Sequence, residues 1–410
     1  MADKTFPLTG FGSVAIHGGH QEDTLSSHLT PIFASSIFTF DTAEQGMRRF
    51  ANEEPGYIYS RWGNPSFTDT ENAICALESF GLKNSDGTPL ALKAFLHASG
   101  QAAMTTLFLA NLQQGDKLIS HLALYGGTYE LLTKILAPTG VETIIIDLRD
   151  LNITEDTLKK NPDIKWMHLE TPANPTIQCV DIDALTKLAH KYGVGVSVDN
   201  TFATPYLQQP FKYDVDFVIH STTKFLNGHG TSIGGVLIGR DLEKMNTKIT
   251  KWFRLLGGNA SPFDAYLLRM GIKTIELRME RHCANAMKVA RYLQAHAAIE
   301  KVFYTGLESH PDFETSKRQM KHPGPMLSFE VGGGINNGKK FINALQMCTR
   351  AVSLGTTDTL ISHPASMSHS SVPKEERLKS GISDGLIRMS VGIENIEDIL
   401  ADFEQALKNL

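Results

Sequence analysis

The chain has 410 residues, 41% of them hydrophobic and 20% charged, with a formal net charge of −5. That length exceeds one ordinary domain and that composition is ordinary for a globular protein with a large core. The charge gives no basic surface of the kind nucleic acids require, and the longest apolar runs fall short of the roughly 20 residues of a membrane span.

The four cysteines, Cys75, Cys179, Cys283 and Cys348, are far apart and form no CxxC pair. They indicate neither a zinc knuckle nor a disulfide framework and suit a reducing cytoplasm. The stretch Met1 to Thr5 begins no long apolar run, so no signal peptide is expected.

Residues 1–65 read as an irregular, Gly/Pro-rich arm, with Pro31, Pro55, Gly56 and Pro65 as breakers. Between about 66 and 261, strand and helix signals alternate. A helix is predicted over Gln101 to Gln113, after Ser99-Gly100, and another over Asp183 to Lys191. Short β-rich runs span Lys117 to Ser120, Thr143 to Leu148, Trp166 to Leu169, Val194 to Val198, Phe217 to Ile219 and Val236 to Ile238. Such alternation implies an α/β domain with a mostly parallel sheet, whose ligands sit at the carboxyl ends of the strands. From 262 to 410 the pattern becomes α+β. A long helical region covers Pro262 to His296, strand-like runs cover Met326 to Val331 and Ser383 to Val391, and an amphipathic helix places Ile396, Ile399, Leu400, Phe403 and Leu407 on one face.

Chemistry concentrates in six places. Ser221-Thr-Thr-Lys224 directly follows the apolar run Phe217-Val-Ile. A lysine there is partly desolvated, which lowers its pKa and suits Schiff-base chemistry. On its own, a strand-end lysine is more often a solvated or capping residue. Asp199 ends the run Val196-Ser-Val, 25 residues earlier. It meets the need of a pyridine nitrogen for a carboxylate, although taken alone a turn or N-cap aspartate is the simpler reading. Ser99-Gly100-Gln101 opens a helix, where free N–H groups bind phosphate. Tyr125 beside Gly126 and Gly127 suits ring stacking or general-acid work, with core packing as the alternative. Tyr59 and Arg61 lie in the arm and suit a phosphate, although a surface loop is the simpler reading. Arg388, inside the run Leu386 to Val391, needs a partner: a substrate carboxylate or a structural ion pair. Histidines 17, 20, 363 and 369 lack supporting ligands, so no metal site is expected.

Two imitations carry less weight. Ser221-x-x-Lys224 fits the serine-hydrolase pattern, but its companion motifs Ser-Asp-Asn and Lys-Thr-Gly are absent. Gly333-x-x-x-x-Gly338-Lys339 imitates a P-loop, with Lys340 where a magnesium-binding hydroxyl belongs, and reads better as a surface hairpin.

The ordered set is more specific than its parts. Tyr59-x-Arg61, Ser99-Gly-Gln-Ala-Ala103, Tyr125-Gly-Gly-Thr128, Glu170-Thr-Pro-x-Asn174-Pro, Asp199-Asn-Thr201, Ser221-x-Thr223-Lys224-x-x-x-Gly-His229 and the late Arg388 resemble the Cys/Met-metabolism family of pyridoxal-phosphate enzymes over about residues 12 to 408. The resemblance implies a fold-type I transferase: a seven-stranded, mostly parallel sheet domain (66–261), a smaller C-terminal α+β domain (262–410), and an N-terminal arm (1–65) contacting a neighbouring subunit. It implies pyridoxal 5'-phosphate on Lys224, which shuttles protons, Asp199 at the ring nitrogen, and Tyr125 stacked on the ring. Ser221, Thr223, Gly100 and Gln101 would hold the phosphate, completed by Tyr59 and Arg61 from the neighbouring subunit. Asn174, Ser353 and Arg388 would bind the substrate amino acid, and Glu170 and Thr201 would line the pocket. A cytoplasmic homotetramer of two site-sharing dimers follows from the same resemblance.

Within the family, Leu277 to Ala286, Arg350 to Gly355 and His363 to His369 look most like methionine γ-lyases. The implied activity is γ-elimination from methionine or homocysteine to 2-oxobutanoate, ammonia and a thiol. Gly127, where such lyases carry cysteine and synthases and cystathionine γ-lyases carry glycine, leaves room for γ-replacement on O-acylhomoserine or for cystathionine γ-lyase activity. Asp358, in place of their glutamate, is a shorter carboxylate that weakens contact with a distal substrate ammonium.

Overall fold

Seven strands form the larger sheet in the computed structural model, which describes residues 7–20, 26–367, 370, 374–379, 381–408 and 410. Met1 to Thr5 and His369 lie outside the described residues. In chain order the strands are β1 (Lys93–His97), β2 (Lys117–His121), β3 (Glu142–Ile146), β4 (Ile164–Glu170), β5 (Gly195–Asp199), β6 (Phe217–His220) and β7 (Gly235–Gly239). Their spatial order is β1-β7-β6-β5-β4-β2-β3. Strands β2 to β6 pair in parallel, whereas β7 runs antiparallel to both β1 and β6. The central strands read as apolar runs because both faces are covered. Val196, Val198 and Val218 pack into one core, while Phe217, Ile219 and Leu237 pack into another with the helix Gly100–Asn111.

The second sheet has five strands, β8 (Ile299–Phe303), β9 (Met326–Val331), β10 (Thr349–Arg350), β11 (Leu360–Ser362) and β12 (Leu386–Ser390). Their order is β10-β11-β12-β9-β8. The C-terminal helix Ile396–Leu407 buries Ile396, Ile399, Phe403 and Leu407 against this sheet's core.

Several expectations are corrected. The region before residue 65 contains two helices, Phe11–His17 and Ala43–Phe50, and Val14 and Ala15 are buried in the main core. The single helical region from Pro262 is two helices, Pro262–Ile272 and Ile275–Ala295, separated at Lys273-Thr274. Gly333, at φ +86°, starts the helix Gly334–Ala344, so the expected surface hairpin is a helix. The 21-residue helix Ile275–Ala295 belongs to both cores. Ile275, Met279 and Cys283 pack with the large sheet, and Ala286, Val289 and Leu293 with the small one. Among the described residues no helix is long and apolar enough to cross a membrane.

Candidate active site

Parallel pairing aligns Glu170, the last residue of β4, with Asp199, the last residue of β5. Two carboxyl groups therefore meet at the carboxyl edge of the sheet, where open α/β sheets bind ligands. Burial raises the Asp199 carboxyl above its usual range. Burial, aided by the charge of Asp199, pushes Glu170 up to about 8. Glu170 accepts hydrogen bonds from the backbone N–H of Tyr125 (2.8 Å) and of Asn174 (3.0 Å), so one side chain fixes two loops. The Thr201 N–H (3.0 Å) and hydroxyl both donate to Asp199 Oδ1. In turn Thr201 Oγ1 accepts from Ser221 N (2.8 Å), tying the end of β5 to the turn after β6.

That turn carries Lys224. Its N–H donates to Ser221 O (3.2 Å) and its carbonyl accepts from Gly228 N (2.8 Å). The Nζ donates to Ser353 Oγ at 2.6 Å. Burial, with the Arg388 cation nearby, lowers the Lys224 amine to about 8. Arg388 sits in the middle of β12 and reaches out of the smaller sheet. It donates to Ser353 O (2.6 Å) and Asn174 Oδ1 (3.2 Å), while its Nε is buried with no hydrogen-bond partner. Gly355 permits this closure. At φ +82°, it brings the 353–355 loop so close that a Cβ there would lie 2.6 Å from Phe225 N and 2.8 Å from the Lys224 carbonyl carbon.

The helix Gly100–Asn111 starts beside the same turn. Ser99 caps it by accepting from Ala102 N (3.1 Å). The N–H groups of Gly100 and Gln101, in its first turn, have no helical carbonyl to meet. A Cβ on Gly100 would lie 3.1 Å from Ser221 Cβ, so this helix start abuts the serine. Tyr125 begins the short helix Gly126–Glu130, remains 48% exposed, and lies near Arg388. A Cβ on Gly127 would stand 2.6 Å from Tyr125 Cε1 and 2.8 Å from Gln101 Nε2, a buried donor without a partner.

Lys224, Ser353, Arg388, Asn174, Glu170 and Tyr125 thus share one contact network, and Asp199, Thr201 and Ser221 share a second that meets it at Glu170 and the lysine turn. Thr223 Oγ1 is engaged with Gly234, donating to its carbonyl (3.2 Å) and accepting from its N–H (3.0 Å). Tyr59 and Arg61 make their contacts elsewhere: the Arg61 guanidinium lies 5.3 Å over the Tyr59 ring and donates to Arg254 O. Sequence reasoning did not find Gly355, the side chain of Gln101, or a buried pair directly behind the lysine turn, Glu78 and His220, 2.5 Å apart. The positive φ of Gly355 has a local sequence signal, the glycine itself. The others depend on contacts distant in sequence. Among the described residues no three His, Cys, Asp or Glu side chains group to hold a metal.

A desolvated amine, a buried carboxylate, an open helix start and two buried donors without partners fit an aromatic aldehyde bearing a phosphate. Comparison with known proteins agrees. Residues 12–408 match the model of the Cys/Met metabolism PLP-dependent enzymes. An L-methionine gamma-lyase of Porphyromonas gingivalis is 46% identical over 100% of both chains. One from Pseudomonas putida is 41% identical over 98% of both. Among solved structures, a cystathionine gamma synthase from Xanthomonas oryzae pv. oryzae superposes with a TM-score of 0.89 at 35% identity, covering 98% of this chain and 99% of that one. The α/β architecture is that of fold-type I, and the chain belongs to the Cys/Met metabolism family of enzymes that depend on pyridoxal 5'-phosphate.

Proposed function

We propose that the protein is a carbon–sulfur lyase that removes the γ-substituent of methionine or homocysteine, yielding a thiol, 2-oxobutanoate and ammonia. The observation that carries this reading is the Lys224 amine, lowered to about 8, held 2.6 Å from Ser353 beneath Arg388. Methionine γ-lyases at 41–46% identity over nearly the whole chain support it.

Pyridoxal 5'-phosphate supplies an electron sink for charge released at the substrate α-carbon. Lys224 Nζ takes and returns the protons at Cα and Cβ, since an amine near about 8 is partly neutral at cellular pH. Asp199 presents its carboxylate to the ring nitrogen, and Thr201 orients that carboxylate through two hydrogen bonds. Ser221 and the N–H groups of Gly100 and Gln101 would receive the phosphate, joined by Thr223 once its hydroxyl leaves the Gly234 carbonyl. Arg388, with Nε unclaimed, grips the substrate carboxylate, with Asn174 and Ser353 fixing its plane. Tyr125 would cover the ring, with its hydroxyl available to protonate the departing sulfur. Glu170 lines the pocket and holds the backbones of Tyr125 and Asn174.

The same reading assigns residues 1–65 to an arm, 66–261 to cofactor binding and 262–410 to the C-terminal domain. Tyr59 and Arg61 complete the phosphate site of a neighbouring copy, in a cytoplasmic homotetramer of two site-sharing dimers. In support, Arg61 bonds the Arg254 carbonyl and stacks on Tyr59 instead of joining the hydrogen bonds of Lys224, and Ile37, Met47, Phe50, Leu255 and Leu256 expose apolar side chains. A second reading, γ-replacement on O-acylhomoserine, is favoured by Gly127 and by the likeness to a cystathionine gamma synthase.

A substrate panel decides between them. Methionine, homocysteine, cystathionine and O-acylhomoserines are each assayed for 2-oxobutanoate with and without added thiol. Ketoacid from methionine or homocysteine supports elimination. Thioether from the acyl esters, with no ketoacid from the sulfur amino acids, overturns it.

A further inference from the structure

His220 ends β6, immediately before Ser221, and Glu78 ends the helix Pro65–Glu78 on the face of the sheet where Val218 packs. Both side chains are fully buried, and His220 Nε2 stands 2.5 Å from Glu78 Oε1. The second atom of each group, His220 Nδ1 and Glu78 Oε2, has no hydrogen-bond partner. A pair kept only for packing would lose little if both members were apolar. As it stands, Glu78 is the one hydrogen-bond partner of this buried imidazole among the described residues, so charge on the ring has that carboxylate as its counter-ion. Asp199 lies on the adjoining strand, paired with Ile219, the residue before His220. Of the two partners, His220 is the one that bears on Asp199, where a positive charge opposes the effect of burial. The charged groups bearing on His220 are therefore Glu78, from the helix, and Asp199, from β5.

We propose that Glu78 and His220 are positioning residues: the Glu78 carboxylate holds His220 as a buried imidazolium behind Asp199, and this cation keeps the Asp199 carboxylate ionised. The inference rests on the reading that Asp199 serves the cofactor ring. Nothing in it requires His220 or Glu78 to touch cofactor or substrate. It assigns the ring-nitrogen contact a support from the opposite face of the sheet, contributed by a helix that starts at Pro65.

Two measurements on the holoprotein test it. Neutron diffraction at neutral pH should show deuterium on both Nδ1 and Nε2 of His220; one deuteron overturns the proposal, whatever any variant does. In parallel, the dissociation constant of pyridoxal 5'-phosphate and the pH titration of its visible absorbance are followed in Asp199→Asn, Glu78→Gln, Glu78→Asp and the double variant Asp199→Asn/Glu78→Gln. Asp199→Asn should weaken retention and displace the titration. Glu78→Gln should move both in the same direction by a smaller amount, about tenfold in the constant. Glu78→Asp should recover most of it, and Glu78→Gln should add little once Asp199 is replaced. Wild-type behaviour of Glu78→Gln beside an altered Asp199→Asn overturns the role of the pair alone. Wild-type behaviour of Asp199→Asn overturns the reading of Asp199, and this inference with it.

Discussion

Glu170 and Asp199 stand opposite one another at the ends of adjacent parallel strands, two buried carboxyl groups in one register pair. Like charges so placed do not both ionise readily, and Glu170, at about 8, is the member held protonated at neutral pH. The folded protein therefore binds a proton at Glu170 that the unfolded chain, with a carboxyl near 4.5, releases. Between those two values the folded state binds more protons, so this group's contribution to stability declines as pH rises through that window and is spent above about 8. In protein stripped of cofactor, the melting temperature of Glu170→Gln should gain on the wild type by several degrees between pH 5 and pH 8. A constant difference across that range would show that Glu170 ionises normally.

Lys224 shows the opposite sign. Its amine is lowered from 10.5 to about 8, so the folded state binds fewer protons than the unfolded chain between those values. The cost of burying the cation is complete below about 8 and is relieved as pH climbs toward 10.5. Lys224→Ala should lose the absorbance near about 420 nm that lysine-bound cofactor gives. Turnover should fall by about 10²–10⁴-fold or more, the usual weight of a proton-transfer group. Retention of the band would remove the lysine from its assigned place.

Ser353→Ala removes the acceptor of the 2.6 Å bond from Lys224 Nζ. A hydrogen bond to a charged donor contributes about 1.5–3 kcal/mol, so kcat/KM should drop by roughly 10- to 100-fold. The fold should survive, because Arg388 bonds the Ser353 carbonyl and that group remains. Steady-state kinetics beside a melting curve separates the two effects.

Arg388→Lys keeps the charge but not the planar fork that reaches Ser353 O and Asn174 Oδ1 together. We expect KM for the amino acid to rise, with kcat/KM lower on the order of 10²-fold, while the visible spectrum stays as in the wild type. A changed spectrum with an unchanged KM would place the arginine at the cofactor instead of the substrate.

Gly355→Ala forces a side chain into a left-handed turn and against Phe225 N and the Lys224 backbone. Destabilisation of about 1–3 kcal/mol is expected from the backbone alone, together with weaker cofactor retention as the lysine turn shifts. Differential scanning calorimetry and a cofactor-binding titration read the two consequences.

The central strands were legible because they are short apolar runs with both faces covered; Val196 to Asp199 and Phe217 to Ile219 announce themselves. Strand β1 was not, since Lys93-Ala-Phe-Leu-His97 is a five-residue edge strand held only by β7. The two-residue β10 and three-residue β11 are too short for any periodicity and exist through pairing alone. The helix at Gly334 was masked by its glycines and asparagines, which favour turns locally but here bury Phe341 and Ile342. In the site, residues at strand ends and helix starts could be nominated from local pattern. Their mutual contacts could not: Ser353 meets Lys224 across 129 positions, Arg388 meets Asn174 across 214, and Glu78 meets His220 across 142.

The helix Ile275–Ala295 is one unbroken rod of 21 residues, about 30 Å long at 1.5 Å per residue, rooted at each end in a different core. Swinging the smaller lobe as a jaw would bend this rod or disturb the packing at one of its ends. The amine from one lobe and the guanidinium from the other are thus joined by a continuous helix as well as by their shared partner, Ser353. The segments around Tyr125 and Ser353 border this site and carry groups that act in it, so alterations there should change turnover as well as release.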